Sequence, residues 1–173
     1  MDNICFKFNK EKAIEVILYL ANKKAGTIDA ITLNKMLFYA DEYHLNKYGR
    51  PIFGGYYVAM QYGPVPSQIR DLINNKENKK AFSKNEYFIV ANREANLEYL
   101  SKSDIEALDK SFEICKDISP MNLSDKSHLH KAWKNAWDKH TFYCKSPKID
   151  YSDMIENQDI ITSLQSISKI MVF

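Results

Sequence analysis

The sequence predicts an α+β domain that is mainly α: a single unit of about five or six helices with a small antiparallel β-sheet or hairpin. Three observations carry this. Apolar residues recur at helical spacing in several separate stretches. Only 5 Gly and 5 Pro occur in 173 residues, too few for a turn-rich all-β chain or a disordered one. One short stretch, Tyr56 to Tyr62, breaks the helical pattern with aromatic and β-branched residues and ends on Gly63-Pro64-Val65-Pro66. A hydrophobic share of 45% supplies a core without staples.

Taken in order, Lys10 to Lys24 reads as a first helix. Its Ile14, Ile17, Leu18 and Ala21 fall on one stripe, and Gly26 is a natural stop. A second helix runs from about Thr32, whose hydroxyl can cap it, to Tyr48. Leu33, Met36, Leu37 and Ala40 form its buried stripe, Phe38, Glu42 and Leu45 a neighbouring face, and Gly49 and Pro51 end it. Tyr56 to Tyr62 is a strand. The two prolines after it fix φ and remove two donors, giving a rigid turn before a short helix from Ser67 to Ile73. Lys76 to Asn85 is polar and reads as an exposed loop. Tyr87 to Ala91 and Asn96 to Leu100 read as two strands that the turn Asn92–Ala95 closes into a hairpin. Ser103-Asp104-Ile105-Glu106 has the form of a capping box, opening a helix with Ile105, Leu108, Phe112 and Cys115 on one face. A further helix spans roughly Ser124 to Trp137, residues 138–150 read as a loop, and a last helix runs from about Asp159 to Ile170, marked by Ile160, Leu164, Ile167 and Met171. No repeat or linker divides the chain, so residues 1–173 read as one domain.

The net charge is +2, and the balance holds in each third of the chain. Nucleic-acid binding rests on a basic footprint, so a nucleic-acid partner is not expected. Cys5, Cys115 and Cys144 are odd in number, widely spaced and free of any C-x-x-C, which suits reduced thiols in a cytoplasmic protein. The N-terminus lacks the basic-then-apolar layout of a signal peptide. The longest apolar run, Ala13 to Ala21, is interrupted by Glu15 and falls far short of the ~20 residues of a membrane span.

Few residues suggest chemistry. Asp41 and His44 stand at i and i+3 on the second helix, where their side chains can meet. Such a pair could orient an imidazole for acid–base work, or fix the helix against the following loop. His128 and His130 are two apart, which points them to different helix faces and makes a poor metal pair. His128 reads instead as a buried, hydrogen-bonded histidine packed near Trp133. No G-x-S-x-G, P-loop or G-x-G-x-x-G sequence occurs, so no catalytic residue, metal or cofactor is assigned. An enzyme reading requires Asp41, His44 and His128 to converge on one pocket. The aromatics from Phe53 to Tyr62 are ordinary strand residues and also favoured interface anchors.

The block Leu33 to Pro66 carries a family resemblance. Lys35, Leu37, Tyr39, Ala40, His44, Leu45, Gly49, Pro51, Ile52 and Gly54, then Gln61, Gly63, Pro64 and Val65, fit the signature of the SocA-like antitoxins, also called the Panacea domain. Met36 stands where Leu is usual, a volume-conserving swap. Ser127-His128 followed by Trp133 adds a looser match, so that the chain resembles the family over about residues 10–140. The resemblance implies an antitoxin of a bacterial or phage two-gene system, such as those of prophages and mobile elements. Such proteins neutralise a cognate toxin encoded nearby by direct protein–protein binding, and at least one type delivers its toxin to an ATP-dependent protease. On this reading Tyr39, Asp41, His44, Gly49, Pro51, Gly63, Pro64, His128 and Trp133 are mainly structural. The partner-binding anchors are then expected at Tyr56, Tyr57, Tyr62 and Arg70 and in the loop Lys76 to Lys84, with steric occlusion of the toxin as the mechanism. A proteolytic adaptor and an Asp41/His44/His128 enzyme are the alternatives.

Overall fold

In a computed structural model, which describes residues 4–170, Lys10–Lys23 forms α1. Asn9 caps it by accepting the Lys12 N–H at 3.0 Å. A three-residue strand absent from the sequence reading, β1 (Thr27–Asp29), follows and leads directly into α2 (Ala30–Tyr48). The cap of α2 is Asp29, which accepts the Thr32 N–H at 2.8 Å, and not Thr32 itself. Ala30 and Ile31 are already helical, so Thr32 sits within the first turn. Helix α2 is buried on several faces: Leu33, Met36, Leu37, Phe38, Ala40 and Leu45 have no exposed surface, because α1, β1 and several later elements pack around it.

The expected strand is β2 (Tyr57–Met60), and the Gly-Pro turn proves to be its partner β3 (Gly63–Pro66). They pair antiparallel with Val58 opposite Val65 and Met60 opposite Gly63. Prolines 64 and 66 are compatible with this because β3 lies at the edge of its sheet. Pro66 then opens α3 (Ser67–Asn74).

The region expected to be a loop contains a single 3-10 turn at Lys76–Asn78 and a strand, β4 (Phe82–Lys84). Strand β4 turns at Asn85 into β5 (Phe88–Ala91), and β5 lies between β4 and β1, with Ile28 opposite Ile89. The expected hairpin between residues 87–91 and 96–100 is therefore not formed. Leu97–Tyr99 is a 3-10 turn, opened by Asn96, whose side chain accepts the Glu98 N–H at 3.0 Å. A local asparagine bond wins there over strand propensity.

Helix α4 (Lys102–Cys115) has its capping box two residues earlier than expected: Ser101 Oγ accepts the Asp104 N–H, and Asp104 Oδ2 accepts the Ser101 N–H. The predicted helix 124–137 is two helices, α5 (Pro120–His128) and α6 (Lys131–Trp137). The break falls where His130 leaves helical geometry and uses its own Nδ1 to accept the Ala132 N–H at 3.1 Å, starting α6 afresh. A two-residue strand, β6 (Lys148–Ile149), pairs with the free edge of β2. A 3-10 turn at Tyr151–Met154 then precedes α7 (Gln158–Ile170). Met171, expected to mark that last helix, lies outside the described residues. The class is α+β, mainly α, with seven α-helices and two three-stranded antiparallel sheets among the described residues. None of these helices is long and apolar enough to cross a membrane.

Candidate functional site

The signature block spans α2, the loop after it and the β2–β3 hairpin, and its polar side chains hold these parts together. Asp41 is fully buried. Its Oδ1 accepts the Ile52 N–H at 2.7 Å and its Oδ2 the Tyr57 hydroxyl at 2.9 Å, which fastens both the loop and β2 to the helix. Burial pushes this carboxyl up to about 7, partly offset by those two donors. His44, also fully buried, lies 2.6 Å from the Arg50 carbonyl through Nδ1 and 3.0 Å from Ser103 Oγ through Nε2. Burial lowers its pKa, so the ring is neutral: Nδ1–H donates to the carbonyl and Nε2 accepts the serine hydroxyl. Asp41 and His44 thus point to different partners and make no hydrogen bond to each other. Gly49 ends α2 in a left-handed conformation (φ +71°), donating to Leu45 O at 2.9 Å, and Pro51 follows it. At Gly63 (φ +101°) an added Cβ would stand 2.2 Å from Ser127 Oγ and 2.7 Å from Lys35 Nζ. The Lys35 ammonium is buried here, 3.3 Å from the Pro64 carbonyl, and burial lowers its pKa to about 7. Tyr39, half-buried, sits under the Lys126 ammonium.

His128 departs from the sequence reading. Its ring stacks on Trp133 at 4.1 Å, but its Nε2 is buried with no hydrogen-bond partner. The stack continues from Trp133 to Trp137 (5.0 Å) and on to His140 (4.5 Å), while Trp133 Nε1 donates to Met60 O at 3.0 Å and so ties α6 to the hairpin. Among the described residues no hydrogen bond or ring contact joins His128 to Asp41 or His44, and no cluster of three metal-ligating side chains occurs. His130, weighed in the sequence only as a poor metal partner of His128, has a structural role: with Nδ1 accepting from Ala132, its Nε2–H donates to Glu42 on α2. Only the fold brings these two residues, 88 positions apart, together.

The expected partner-facing residues divide. Tyr57, expected to face a partner, is instead 1% exposed and belongs to the core, because its hydroxyl donates to the buried Asp41 carboxylate. Tyr56 is partly exposed under the Lys148 ammonium, and Tyr62 is exposed at the hairpin tip. Arg70 is half-exposed on α3. Tyr62 and Arg70 line one cleft of about 370 Å³ with Lys84 from the 76–84 segment, Asn34, Lys35, Gln61 and Asn74. The segment 138–147 adds the most exposed aromatics among the described residues, Phe142 and Tyr143, beside a second groove at Trp137 and His140. Their position after α6 carried no periodic signal.

Comparison with curated proteins and with solved structures returned no match. The sequence model of the family described as "Antitoxin SocA-like, Panacea domain" matches residues 33–134, from the second turn of α2 to the middle of α6. That span holds the whole signature block together with Ser127, His128 and Trp133, and it is more than half of the chain, so the protein belongs to the SocA-like antitoxin family.

Proposed function

We propose that this chain is a cytoplasmic, non-enzymatic antitoxin that neutralises a cognate protein toxin encoded nearby, by direct binding and occlusion of the toxin's working surface. The observation that carries this reading is the family match over residues 33–134. The geometry supports it: Asp41 and His44 are buried and committed to backbone and side-chain partners. The groups left at the surface are aromatic and cationic, among them Tyr62, Phe142, Tyr143 and Arg70, which are residue types that anchor interfaces.

The test is growth of cells expressing the neighbouring gene with and without this chain, followed by co-purification. Arrest by the neighbour alone, rescue by this chain and recovery of a complex are expected. Rescue that vanishes in cells lacking ATP-dependent proteases would replace occlusion by proteolytic delivery. Absence of both rescue and complex would refute the antitoxin role.

A further inference from the structure

The cleft below the hairpin tip is built from four separate parts of the chain. Asn34 and Lys35 come from α2, Met60, Gln61 and Tyr62 from the hairpin, Arg70 and Asn74 from α3, and Lys84 from β4. Its apolar lining includes Ala30, Ile31 and Val65. Its charged groups are all cations, and no carboxylate lines it.

Among the described residues neither Lys84 nor Lys35 has a carboxylate partner, and Arg70 has only a long, exposed one. Arg70 Nη1 lies 3.4 Å from Met60 Sδ, and its nearest carboxylate is its exposed neighbour Asp71, at 3.8 Å and beyond hydrogen-bond reach. Lys84 Nζ donates to the neutral Asn74 side chain at 2.7 Å. Lys35 lies buried in the wall, its Nζ donating to the Pro64 carbonyl at 3.3 Å. Burying an ammonium without a counter-charge is costly, as its lowered pKa of about 7 reflects. A folded chain of nearly neutral net charge has thus gathered Arg70, Lys84 and the partly protonated Lys35 around one concave, partly apolar surface. The complement of such a surface is an anionic group carried on an apolar segment.

We propose that this cleft is the docking site for an acidic segment of the toxin, in which an Asp or Glu carboxylate is held by Arg70 and Lys84 and its apolar neighbours rest on Ile31 and Val65. The inference rests on the antitoxin reading and deepens it. Lys35, beneath the surface, adds its field to the site without touching the carboxylate. Tyr62 and Gln61, at the rim, close over the segment from the hairpin tip.

The experiment compares the wild-type chain with Arg70→Glu/Lys84→Glu, using the product of the neighbouring gene as the probe. Both side chains are surface groups, so melting curves and circular dichroism of the double variant should match the wild type. Binding is expected to weaken at least about tenfold, with loss of growth rescue. Replacing an acidic residue of the toxin by Lys should restore affinity to the double variant and not to the wild type. If the wild type rescues growth and the folded double variant binds and rescues equally well, the cleft is not the docking site while the antitoxin role stands. If the wild type neither binds nor rescues, both readings fall together. Saturable stabilisation of the wild type by inorganic phosphate, with toxin binding unchanged in the double variant, would reassign the cleft to a free anion and overturn the proposal.

Discussion

At the scale of single residues, two of the buried ionisable groups of α2, Asp41 and Lys35, give opposite pH signatures. Asp41 has its folded-state pKa raised from 3.8 to about 7 by burial. The folded chain therefore keeps a proton that the unfolded chain releases, and the associated stability is complete below pH 3.8 and is lost as pH rises to about 7. Asp41→Asn keeps an acceptor for the Ile52 N–H and removes the titration. Its stability relative to wild type should rise with pH across that window, by up to about 1.4 kcal/mol per pH unit, and level off above it. Lys35 has its pKa lowered from 10.5 to about 7. Here the unfolded chain holds the extra proton, so stability is gained as pH rises from about 7 to 10.5. The advantage of Lys35→Met over wild type should be largest below pH 7 and shrink above it. Urea titrations at several pH values read both differences, and profiles parallel to the wild type in either variant would contradict the assigned burial effect.

Elements follow different rules, and two glycines of the signature separate them. Gly49 and Gly63 both have positive φ, but an added Cβ at Gly49 meets nothing within 4 Å, whereas at Gly63 it collides with Ser127 of α5 and Lys35 of α2. Gly49→Ala should cost only the left-handed backbone penalty, about 1–2 kcal/mol. Gly63→Ala adds overpacking of about 1–3 kcal/mol, because the buried Ser127 and Lys35 side chains must give way. Denaturation midpoints check the order, and equal costs would mean that the hairpin is loosely seated. The same contrast explains what the sequence revealed. Helices α1, α2, α4 and α7 were legible because their stripes are local and periodic. Strands β1, β4 and β6 were not, since two or three residues show no alternation and their pairing joins Ile28 to Ile89 and Tyr57 to Ile149. The split of residues 124–137 was hidden as well: a histidine acting as its own cap looks like any other helical residue until its Nδ1 is seen on the Ala132 N–H.

For the molecule as a whole, the family signature could be read along the chain, but the cleft could not, because Lys35, Arg70 and Lys84 meet only when α2, α3 and β4 are assembled. Nor did the spacing of the three cysteines reveal their unequal environments. Cys5 and Cys144 are exposed, while Cys115 is buried at the end of α4, and burial pushes its thiol up to about 11. The thiolate is the reactive form, so Cys115 is protected twice, by access and by charge state. In the native protein two thiols should react quickly with an alkylating reagent at pH 8, and Cys115 only through opening of the core. Its labelling rate then follows the population of the open state. Gly63→Ala should accelerate it about tenfold for each 1.4 kcal/mol lost, while a ligand that binds only the folded chain should slow it by mass action. Mass spectrometry of the labelled peptides separates the three sites. Rapid reaction of all three would show that the junction of α2, α4 and α5 opens locally, without unfolding, and that the residues behind the cleft are less fixed than their burial implies.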